Sequence, residues 1–549
     1  MNSNFYQYNG KTKFIFVTGG VISGLGKGVA AASIGALLAG KLKVIPVKCD
    51  GYLNTDPGTM NPIEHGEVYV LDDGGEVDMD FGHYERFLNV TARSDWSLTM
   101  GRVFKRIWEK ERQGDYLGRT VQFIPHVTDI IKQHFYRLAE QENADVLLIE
   151  IGGTVGDLEN QFYVEAARQV FHEIGSENCL SVHLTYVPIP NGVHEQKSKP
   201  TQMSVRDLHE RGIYPEIIIG RCEEYLKPHI KEKIGLYCNL PASHVISGLD
   251  VKHVYECPIV YDREGLPEIL SKKLRIYAPP RLGEWSHLVD TLKRNEVSPR
   301  KTITVAICGK YTALEDSYAS VVEALNHASA HLDLKVCIRW VDTEKIENDA
   351  VTVETAMNGV DAVIVPGGFG SRGIEGKIEL IRYVREKQIP FLGICYGMQL
   401  AVVEFARNVR GIKGAGTTEV EADGIPVEVP VVTYLPGQEN LKEKGATMRL
   451  GGHDVLILEG SRARAIYQEA RIRERFRHRY EVNPKYVKDI EQDGLVFSGK
   501  AAGEDIMQIM ELTNHPYFMA CQFHPELKSS LLNPAPLFLG LLRACDERL

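Results

Sequence analysis

Phe14-Ile-Phe-Val-Thr-Gly-Gly20 is a short run of aromatic and β-branched residues that ends in two glycines. A stretch of small residues with helical character follows it to about residue 38, and a second apolar run covers residues 44–47. This order predicts a βαβ unit, in which two parallel strands belong to a sheet covered on both faces. Residues 146–149 and 217–219 are further runs of the same kind and extend the predicted sheet.

The same alternation starts again in the second half of the chain. Apolar runs at 303–307, 336–340, 362–365 and 391–394 alternate with helical patterns such as 318–331. Between the halves, proline-containing polar sequence breaks the pattern. We therefore predict an α/β protein of two domains, each a mostly parallel sheet flanked by helices, with residues 1–278 and 301–549 as the domains and 279–300 as the linker.

Composition excludes several classes of protein. With 44% hydrophobic and 25% charged residues the chain is typical of globular proteins, and a net charge of −10 argues against broad nucleic-acid binding. The longest apolar run, 29–39, is too short to span a bilayer, and residues 1–9 carry no secretory signal. The ten cysteines are scattered without a C-x-x-C pair, which indicates reduced thiols and a cytoplasmic location.

The glycine-rich turn after the first run predicts a phosphate site. In Gly19-Gly-Val-Ile-Ser-Gly-Leu-Gly-Lys-Gly28, glycines let backbone N–H groups face a phosphate, and Lys27 neutralises its charge. The match to a standard P-loop is imperfect, because Gly28 stands where a magnesium-binding Ser or Thr is usual. A glycine turn that only packs a helix on a strand is the alternative.

Other carboxylates would have to hold a magnesium ion. Asp78-Met-Asp80 is one candidate, and Glu150 is another, because it follows a buried apolar run just before Gly152-Gly153. The alternative for Glu150 is a side chain that escapes to solvent at a strand end. Lys197-Ser-Lys-Pro-Thr-Gln202 places two lysines and two hydroxyls in a rigid turn, which suits a second polyanion but also a solvated loop.

The second half contains a predicted nucleophile. Gly393-Ile-Cys-Tyr-Gly397 has the G-x-nucleophile-x-G form of a strand-to-helix elbow, and a thiol at a helix N-terminus is favoured as thiolate. His524 and Glu526 follow another strand and can act as base and orienting carboxylate. Backbone N–H groups of Pro366-Gly-Gly-Phe-Gly370 and of Tyr396 would form an oxyanion hole. A buried structural cysteine is the alternative.

Arginines alternate with other residues from Arg471 to Arg479. A period of two places them on one face of a strand. The cluster is either a solvated basic face or a site for an anionic ligand.

Several long strings resemble one family, the CTP synthases, over nearly all of the chain. The second half resembles a class I glutamine amidotransferase with a Cys-His-Glu triad, and the first half resembles the P-loop-like amidoligase domain of that family. The strings in the first half are Thr18-Gly-Gly-Val-Ile-Ser23, Gly26-Lys-Gly28, Asp56-Pro-Gly-Thr-Met-Asn-Pro62, His65-Gly-Glu67, Gly82-His-Tyr-Glu-Arg-Phe87, Gly114-Asp-Tyr-Leu-Gly118, Glu150-Ile-Gly-Gly-Thr-Val-Gly-Asp157 and Lys197-Ser-Lys-Pro-Thr-Gln202.

This resemblance implies a role for individual residues. Cys395, His524 and Glu526 would be catalytic, while Asp80 and Glu150 would bind Mg²⁺. The implied ATP-binding residues are Ser23, Gly24, Leu25, Gly26, Lys27, Gly28, Val29, Asp80, Leu249, Asp250 and Val251. The implied UTP- or CTP-binding residues are Ser23, Asp157, Leu158, Glu159, Lys197, Ser198, Lys199, Pro200, Thr201, Gln202 and Lys233. The implied glutamine-binding residues are Gly368, Tyr396, Gly397, Met398, Gln399, Glu419 and Arg479.

The resemblance also implies a reaction. Glutamine would be hydrolysed at Cys395, ATP would phosphorylate the 4-oxygen of UTP, and ammonia would displace the phosphate to give CTP. GTP would activate the enzyme, CTP would inhibit it, and four copies would form a homotetramer in the cytoplasm, with no nucleic-acid or membrane partner. The alternatives are an ATP-dependent amidoligase acting on a carboxylate, and a P-loop switch or scaffold protein with a degenerate second domain.

Overall fold

The structure is a computed structural model that describes residues 6–61, 66–310, 315–435 and 448–548. Two residues of the strings above, Pro62 and His65, therefore lie outside the described residues. The chain divides into two compact units. Unit 1 comprises residues 1–56 and 83–286, and unit 2 comprises residues 57–82 and 287–549. The linear boundaries at 278 and 301 stay a prediction, but residues 57–82 pack with unit 2 although the sequence places them within the first half.

Unit 1 is built on a seven-stranded sheet in which every pair of neighbouring strands is parallel. The first nine strands of the chain are β1 (Lys13–Gly19), β2 (Val44–Asp50), β3 (Tyr69–Val70), β4 (Glu76–Val77), β5 (Ser97–Thr99), β6 (Val146–Ile151), β7 (Cys179–Tyr186), β8 (Ile217–Cys222) and β9 (Val245–Leu249). The sheet order is β5-β2-β6-β1-β7-β8-β9, and β3 and β4 belong to unit 2. Its central strands are buried along nearly their whole length, as expected for a sheet covered on both faces.

The helices of the described chain up to residue 297 lie between these strands or follow the last of them. They are α1 (Lys27–Ala39), α2 (Asp80–Leu88), α3 (Met100–Gln113), α4 (Thr128–Gln141), α5 (Gln161–Ile174), α6 (Lys199–Glu210), α7 (Pro228–Cys238), α8 (Cys257–Arg263), α9 (Leu266–Leu274) and α10 (Gly283–Val297). The last of these lies in the segment predicted as a linker, so most of that segment is helical. Among the described residues, no helix is long and apolar enough to cross a membrane.

Unit 2 contains a nine-stranded mixed sheet and a smaller three-stranded one. Its strands are β10 (Thr302–Gly309), β11 (Lys335–Asp342), β12 (Ala362–Val365), β13 (Phe391–Ile394), β14 (Ala415–Thr417), β15 (Val429–Tyr434), β16 (Arg449–Ile457), β17 (Arg471–His478), β18 (Tyr480–Val482), β19 (Leu495–Ala501), β20 (Met507–Leu512) and β21 (Phe518–Cys521). The large sheet has the order β11-β10-β12-β13-β21-β20-β19-β16-β17. Its first five strands are parallel, and the pairs beyond β21 are antiparallel.

Further helices cover the sheets of unit 2. They are α11 (Ala319–Leu332), α12 (Thr343–Glu347), α13 (Val353–Met357), α14 (Ile374–Glu386), α15 (Tyr396–Asn408), α16 (Arg462–Tyr467), α17 (Val487–Ile490) and α18 (Pro536–Arg548). The fold class is the predicted one: each unit has an α/β architecture, with an all-parallel sheet in unit 1 and five adjacent parallel strands in the mixed sheet of unit 2. The carboxyl ends of β12, β13 and β21, which are adjacent, meet at one edge of the sheet.

Candidate functional site

Cys395 occupies a tight turn between β13 and α15. Its backbone has φ 53° and ψ −101°, an unusual conformation for a residue with a side chain. Two glycines make room for the turn: a Cβ on Gly397 would lie 2.1 Å from the carbonyl oxygen of Val365, and one on Gly393 would lie 2.9 Å from Gly397. The elbow predicted from the glycine spacing is therefore present, and it places the thiol at the N-terminus of a helix.

His524 and Glu526 lie beside this thiol. β21 pairs with β13, and Cys521 is level with Ile394, so the residues after both strands emerge together. The Nδ1 atom of His524 is 2.6 Å from Oε1 of Glu526. Burial disfavours the charged imidazole, but Glu526 and Cys395 outweigh this effect and raise the pKa of His524 to about 10. The three predicted catalytic residues thus form one connected set.

The glycine-rich loop after β12 faces the same thiol. A Cβ on Gly367 would lie 2.9 Å from Cε1 of His524 and 3.6 Å from Cβ of Cys395. The sequence predicted that backbone N–H groups of residues 366–370 would face an oxyanion. The N–H of Gly370 instead donates a hydrogen bond of 2.6 Å to Oε1 of Glu419. Gly370 therefore does not supply an oxyanion donor in this arrangement, and Gly367 and Gly368 are the better candidates in this loop.

A cavity of about 680 Å³ opens over the nucleophile. It is lined by three groups predicted to bind glutamine, Gly368, Glu419 and Arg479, as well as by the catalytic set. Burial raises the pKa of Glu419 to about 7, although the Gly370 amide, Lys310 and Lys377 oppose the shift. The cavity thus combines a thiol, an imidazole, a guanidinium and a carboxyl group.

The other residues predicted to bind the substrate glutamine lie behind the cavity wall. Tyr396 is buried, its hydroxyl donates to the carbonyl of Gly370 at 3.2 Å, and its ring lies 5.3 Å from the ammonium of Lys377. The side chains of Met398 and Gln399 are also buried. In the described structure, none of the four residues from 396 to 399 lines the cavity with the catalytic set, so any contact they make with glutamine would come from the backbone or from a rearrangement.

Sequence reasoning missed one part of this cavity. Gly58, Thr59, Met60, Glu67, Val68 and Val70 also line it, although the chain reaches them more than 300 residues before Cys395. Glu67 accepts a hydrogen bond of 2.8 Å from the backbone amide of Ser320. No spacing pattern signals this packing, because the contacts join residues far apart in the sequence.

The arginine row on β17 is divided: Arg471 and Arg473 are exposed, whereas Arg475 and Arg477 are buried or half-buried against carboxylates of the same unit. Arg475 is buried and contacts Asp72 at 2.7 Å, Arg477 contacts Glu76 at 2.8 Å, and Arg473 also reaches Asp72, at 3.2 Å. Asp72 lies in the turn of the β3–β4 hairpin, and Glu76 lies on β4. Four arginines from 471 to 477 lie on β17, whereas Arg479 lies beyond it; Arg477 and Arg479 both line the cavity. Three members of the row therefore bind an acidic segment of the same unit.

The predicted phosphate loop of unit 1 lies between β1 and α1. Gly24 and Gly26 have φ of 69° and 86°, left-handed values that favour glycine, and α1 begins at Lys27. The Lys27 ammonium donates to the carbonyl of Gly153 at 2.8 Å. A small cavity of about 100 Å³ brings the loop together with the predicted adenine-side residues; the predicted ATP residues that line it are Leu25, Gly26, Val29, Leu249, Asp250 and Val251.

Arg221 is a residue of this site that the sequence did not reveal. Its Nη1 donates to the carbonyl of Gly24 at 3.0 Å, and its Nε donates to Asp250 at 2.6 Å. It therefore joins the phosphate loop to the segment that follows β9. A lone arginine at the end of a strand has no distinctive spacing.

Glu150 is not a side chain that escapes to solvent. It lies within β6, is 1% exposed, and receives a hydrogen bond of 2.8 Å from Lys48 and another from the hydroxyl of Tyr84. Asp80 is the first residue of α2. Mg²⁺ binds carboxylate oxygens and takes its other ligands from phosphates and water. The carboxylates of Asp80 and Glu150 therefore suit this ion, once the hydrogen bond from Lys48 or from Tyr84 releases an oxygen of Glu150. Among the described residues, no group of three or more His, Cys, Asp or Glu side chains is arranged to hold a metal ion.

The predicted pyrimidine-nucleotide residues fall into two sets. Lys199-Pro-Thr-Gln202 is the first turn of α6, not a separate rigid turn, because Pro200 is favourable at a helix start. Ser198 and Thr201 are buried, whereas Lys197 pairs with Glu195 at 2.6 Å, and Lys233 contributes to the electrostatic environment of that glutamate. Asp157 instead accepts from the amide of Thr154 at 2.6 Å. No hydrogen bond or ion pair among the described residues joins 157–159 to 197–202.

Known proteins resemble this chain over nearly its whole length. The family model for the CTP synthase N-terminus matches residues 13–276, and that for class I glutamine amidotransferases matches residues 313–544. A CTP synthase of Borreliella afzelii is 53% identical, with 97% of this chain and 99% of the relative covered. CTP synthases of Archaeoglobus fulgidus and Thermococcus gammatolerans are each 50% identical, with 97% and 98% of this chain and 98% and 99% of the relatives covered. The chain therefore belongs to the CTP synthase family of ligases, whose known function is the glutamine-dependent amination of UTP to CTP.

Proposed function

We propose that this chain aminates UTP to CTP at the expense of ATP, with ammonia released from glutamine at Cys395. The observation that carries the proposal is the set formed by Cys395, His524 and Glu526 on the wall of a cavity that also contains Glu419 and Arg479. A thiol, a base, an orienting carboxylate and one group for each charged end of an α-amino acid suit glutamine hydrolysis.

Glutamine binds with its α-carboxylate at Arg479 and its α-ammonium at Glu419, which aims the side-chain amide at Cys395. His524 takes the thiol proton, and Glu526 stabilises the imidazolium that forms. Sulfur attacks the amide carbon, and the backbone N–H groups of Tyr396 and of the 366–368 loop bind the oxyanion. His524 returns the proton to the leaving nitrogen as ammonia departs. Water then hydrolyses the thioester to glutamate by the reverse proton path.

The synthetase reaction takes place at the phosphate loop that follows β1. The 23–29 loop and Lys27 bind the phosphates of ATP, and residues 249–251 border its adenine. UTP binds to Ser23, to residues 157–159 and 197–202, and to Lys233. CTP competes for the same positions as feedback inhibitor. Transfer of the γ-phosphoryl group to the 4-oxygen of UTP creates a leaving group, and ammonia displaces it to give CTP and phosphate. Mg²⁺, held by Asp80 and Glu150, would neutralise phosphate charge when bound.

Three further properties belong to the proposal. GTP activates glutamine hydrolysis, and four copies assemble into a homotetramer. The tetramer is supported by a set of exposed apolar side chains in unit 1, Trp108, Leu117, Phe123 and Ile124, which monomeric surfaces rarely carry together. The location is cytoplasmic, which is supported by the ten cysteines: all lie in the described part of the chain and all are free thiols.

The test follows an oxygen atom. UTP labelled with ¹⁸O at position 4 is incubated with ATP and glutamine, and CTP, glutamate and phosphate are measured by mass spectrometry. We expect one CTP and one glutamate for each labelled phosphate. Unlabelled phosphate would contradict the phosphorylated intermediate, and no CTP would contradict the function. Omitting the nitrogen source is the control, in which CTP must be absent.

A further inference from the structure

A buried glutamine that does not line the cavity contacts the nucleophilic sulfur. Gln522 follows β21 directly and is 0% exposed. Its Nε2 lies 3.6 Å from Sγ of Cys395, within the range of hydrogen bonds to sulfur. The two residues meet because β13 and β21 are neighbours, and the amide of Cys395 donates to the carbonyl of Cys521 at 2.7 Å. The strand pairing thus fixes the distance between the side-chain amide of Gln522 and the thiol of Cys395.

The orientation of the Gln522 amide matters, because only its NH₂ end can donate to sulfur. That orientation is determined by a second buried glutamine. Nε2 of Gln399 donates to the backbone carbonyl of Tyr480 at 2.9 Å and to Oε1 of Gln522 at 3.2 Å. A backbone carbonyl can only accept, so it must face the NH₂ end of Gln399. Gln399 then presents a donor to Gln522, whose oxygen must turn toward it.

The result is a one-way chain of hydrogen bonds that ends at the nucleophile. The carbonyl of Tyr480 accepts from Gln399, Gln399 donates to Gln522, and Gln522 donates to Cys395. Reversing Gln399 would set its oxygen against two acceptors, and reversing Gln522 would set its NH₂ group against the NH₂ group of Gln399; either mismatch is costly in a buried site. Both amides are therefore held in the orientation that aims an N–H at the sulfur.

We propose that Gln522 is a further catalytic residue of the glutaminase reaction, which stabilises the thiolate of Cys395 by an N–H···S⁻ hydrogen bond. The proposal rests on the role of Cys395 as nucleophile proposed above. A neutral thiol is a weak acceptor, whereas a thiolate accepts strongly, so the bond favours the charged form. It forms fully when the thiol proton moves to Nε2 of His524, and it then stabilises the negative charge on the sulfur together with the imidazolium.

A matched control lies one strand away. Gln508 on β20 is also 0% exposed, and its backbone carbonyl accepts from the amide of Gln522 at 2.9 Å. Its side-chain amide has no hydrogen-bond partner among the described residues. Replacing this amide removes a buried polar group from the same neighbourhood without removing the donor to sulfur.

The experiment measures the rate at which iodoacetamide alkylates Cys395 between pH 5 and pH 10, with the modified residue verified by mass spectrometry. We expect Gln522→Met to move the midpoint of the pH–rate profile upward by about one unit and to lower kcat/KM for glutamine roughly 10- to 100-fold, the range for loss of one hydrogen bond to a charged group. Gln508→Met should change neither quantity. CTP formation from ammonium chloride should persist in both variants.

Each other outcome has a distinct meaning. A Gln522→Met enzyme with a lower rate but the wild-type midpoint would make Gln522 structural and overturn the proposal, as would wild-type values of both. If Gln522→Met loses ammonia-dependent synthesis as well, Gln522→Glu is used: it keeps the acceptor for Gln399 but sets an oxygen against sulfur, so a midpoint that is not raised would overturn the proposal. If wild-type enzyme alkylated at Cys395 still hydrolyses glutamine, the nucleophile assignment fails, independently of Gln522.

Discussion

Glu419 differs from an ordinary surface carboxylate because it is buried beside the nucleophile. Burial raises its pKa to about 7, while the Gly370 amide, Lys310 and Lys377 oppose the shift. The carboxyl group therefore changes its charge close to neutral pH, within the range in which the enzyme would work.

Glutamine affinity should consequently depend on pH. Below about pH 7 the protonated Glu419 cannot pair with the α-ammonium of glutamine, so KM for glutamine should rise by up to about tenfold for each unit of decreasing pH. Steady-state glutaminase kinetics from pH 5.5 to 8.5 measure this. Glu419→Gln should show a raised KM that no longer varies with pH in this way, and a flat KM in the wild-type enzyme would contradict the role of Glu419.

At the scale of elements, the β3–β4 hairpin is attached to β17 by ion pairs between buried or half-buried groups. Arg475 is 2% exposed and donates to Asp72, to the carbonyl of Val70 at 3.2 Å and to the hydroxyl of Tyr69 at 3.3 Å. That hydroxyl in turn donates to the carbonyl of Leu527 at 2.6 Å, next to Glu526. The hairpin and the catalytic segment are therefore connected through one arginine.

Removing that arginine should be costly. Arg475→Leu leaves Asp72 without its main partner, and we expect a loss of about 3 kcal/mol in the free energy of unfolding. Arg471→Leu is the control, because Arg471 is exposed and pairs only with Asp454 among the described acidic groups; it should cost less than about 1 kcal/mol. Urea unfolding followed by circular dichroism measures both. Equal losses in the two variants would contradict the assignment.

The pH dependence of this effect has a defined sign. Burial alone would raise the pKa of Asp72, but the hydrogen bonds and charges of Arg475 and Arg473 outweigh it and hold the pKa below its ordinary value of 3.8. Stability from a lowered carboxyl pKa is present above that ordinary value and is lost as the pH falls toward the folded-state pKa. The difference between wild type and Arg475→Leu should therefore shrink below about pH 4.

At the scale of the whole molecule, local patterns predicted the elements well. The apolar runs at 14–17, 44–47 and 391–394 are strands, and the Gly393–Gly397 spacing marks the elbow, because strand burial and glycine geometry are properties of a few consecutive residues. Long-range pairing was not predictable. Asp72 and Arg475 are 403 residues apart, and Lys48 and Glu150 are 102 apart, so nothing in either neighbourhood signals its partner.

The sequence likewise predicted part of the candidate site and missed the rest. Cys395 and His524 belong to residue types that are usual for nucleophiles and bases, and their motifs follow strands. Gln522 was missed because a buried amide carries no such signal: its importance depends on which way its NH₂ end points, and only the contacts of Gln399 determine that. The loop 366–370 stays the predicted source of oxyanion donors, but the sequence did not reveal that Glu419, 49 residues from Gly370, accepts a hydrogen bond from the N–H of Gly370.

The central claim is that Cys395 acts only in releasing ammonia, while the chemistry on UTP takes place at the phosphate loop that follows β1. The most direct measurement compares CTP formation by Cys395→Ala with glutamine and, separately, with ammonium chloride at mildly alkaline pH. Cys545→Ala, which removes a buried thiol from α18, is the control and should keep both activities. We predict that Cys395→Ala loses glutamine-dependent synthesis and keeps most of its ammonia-dependent rate. Retention of the glutamine-dependent rate, or loss of both activities in a folded protein, would contradict the account.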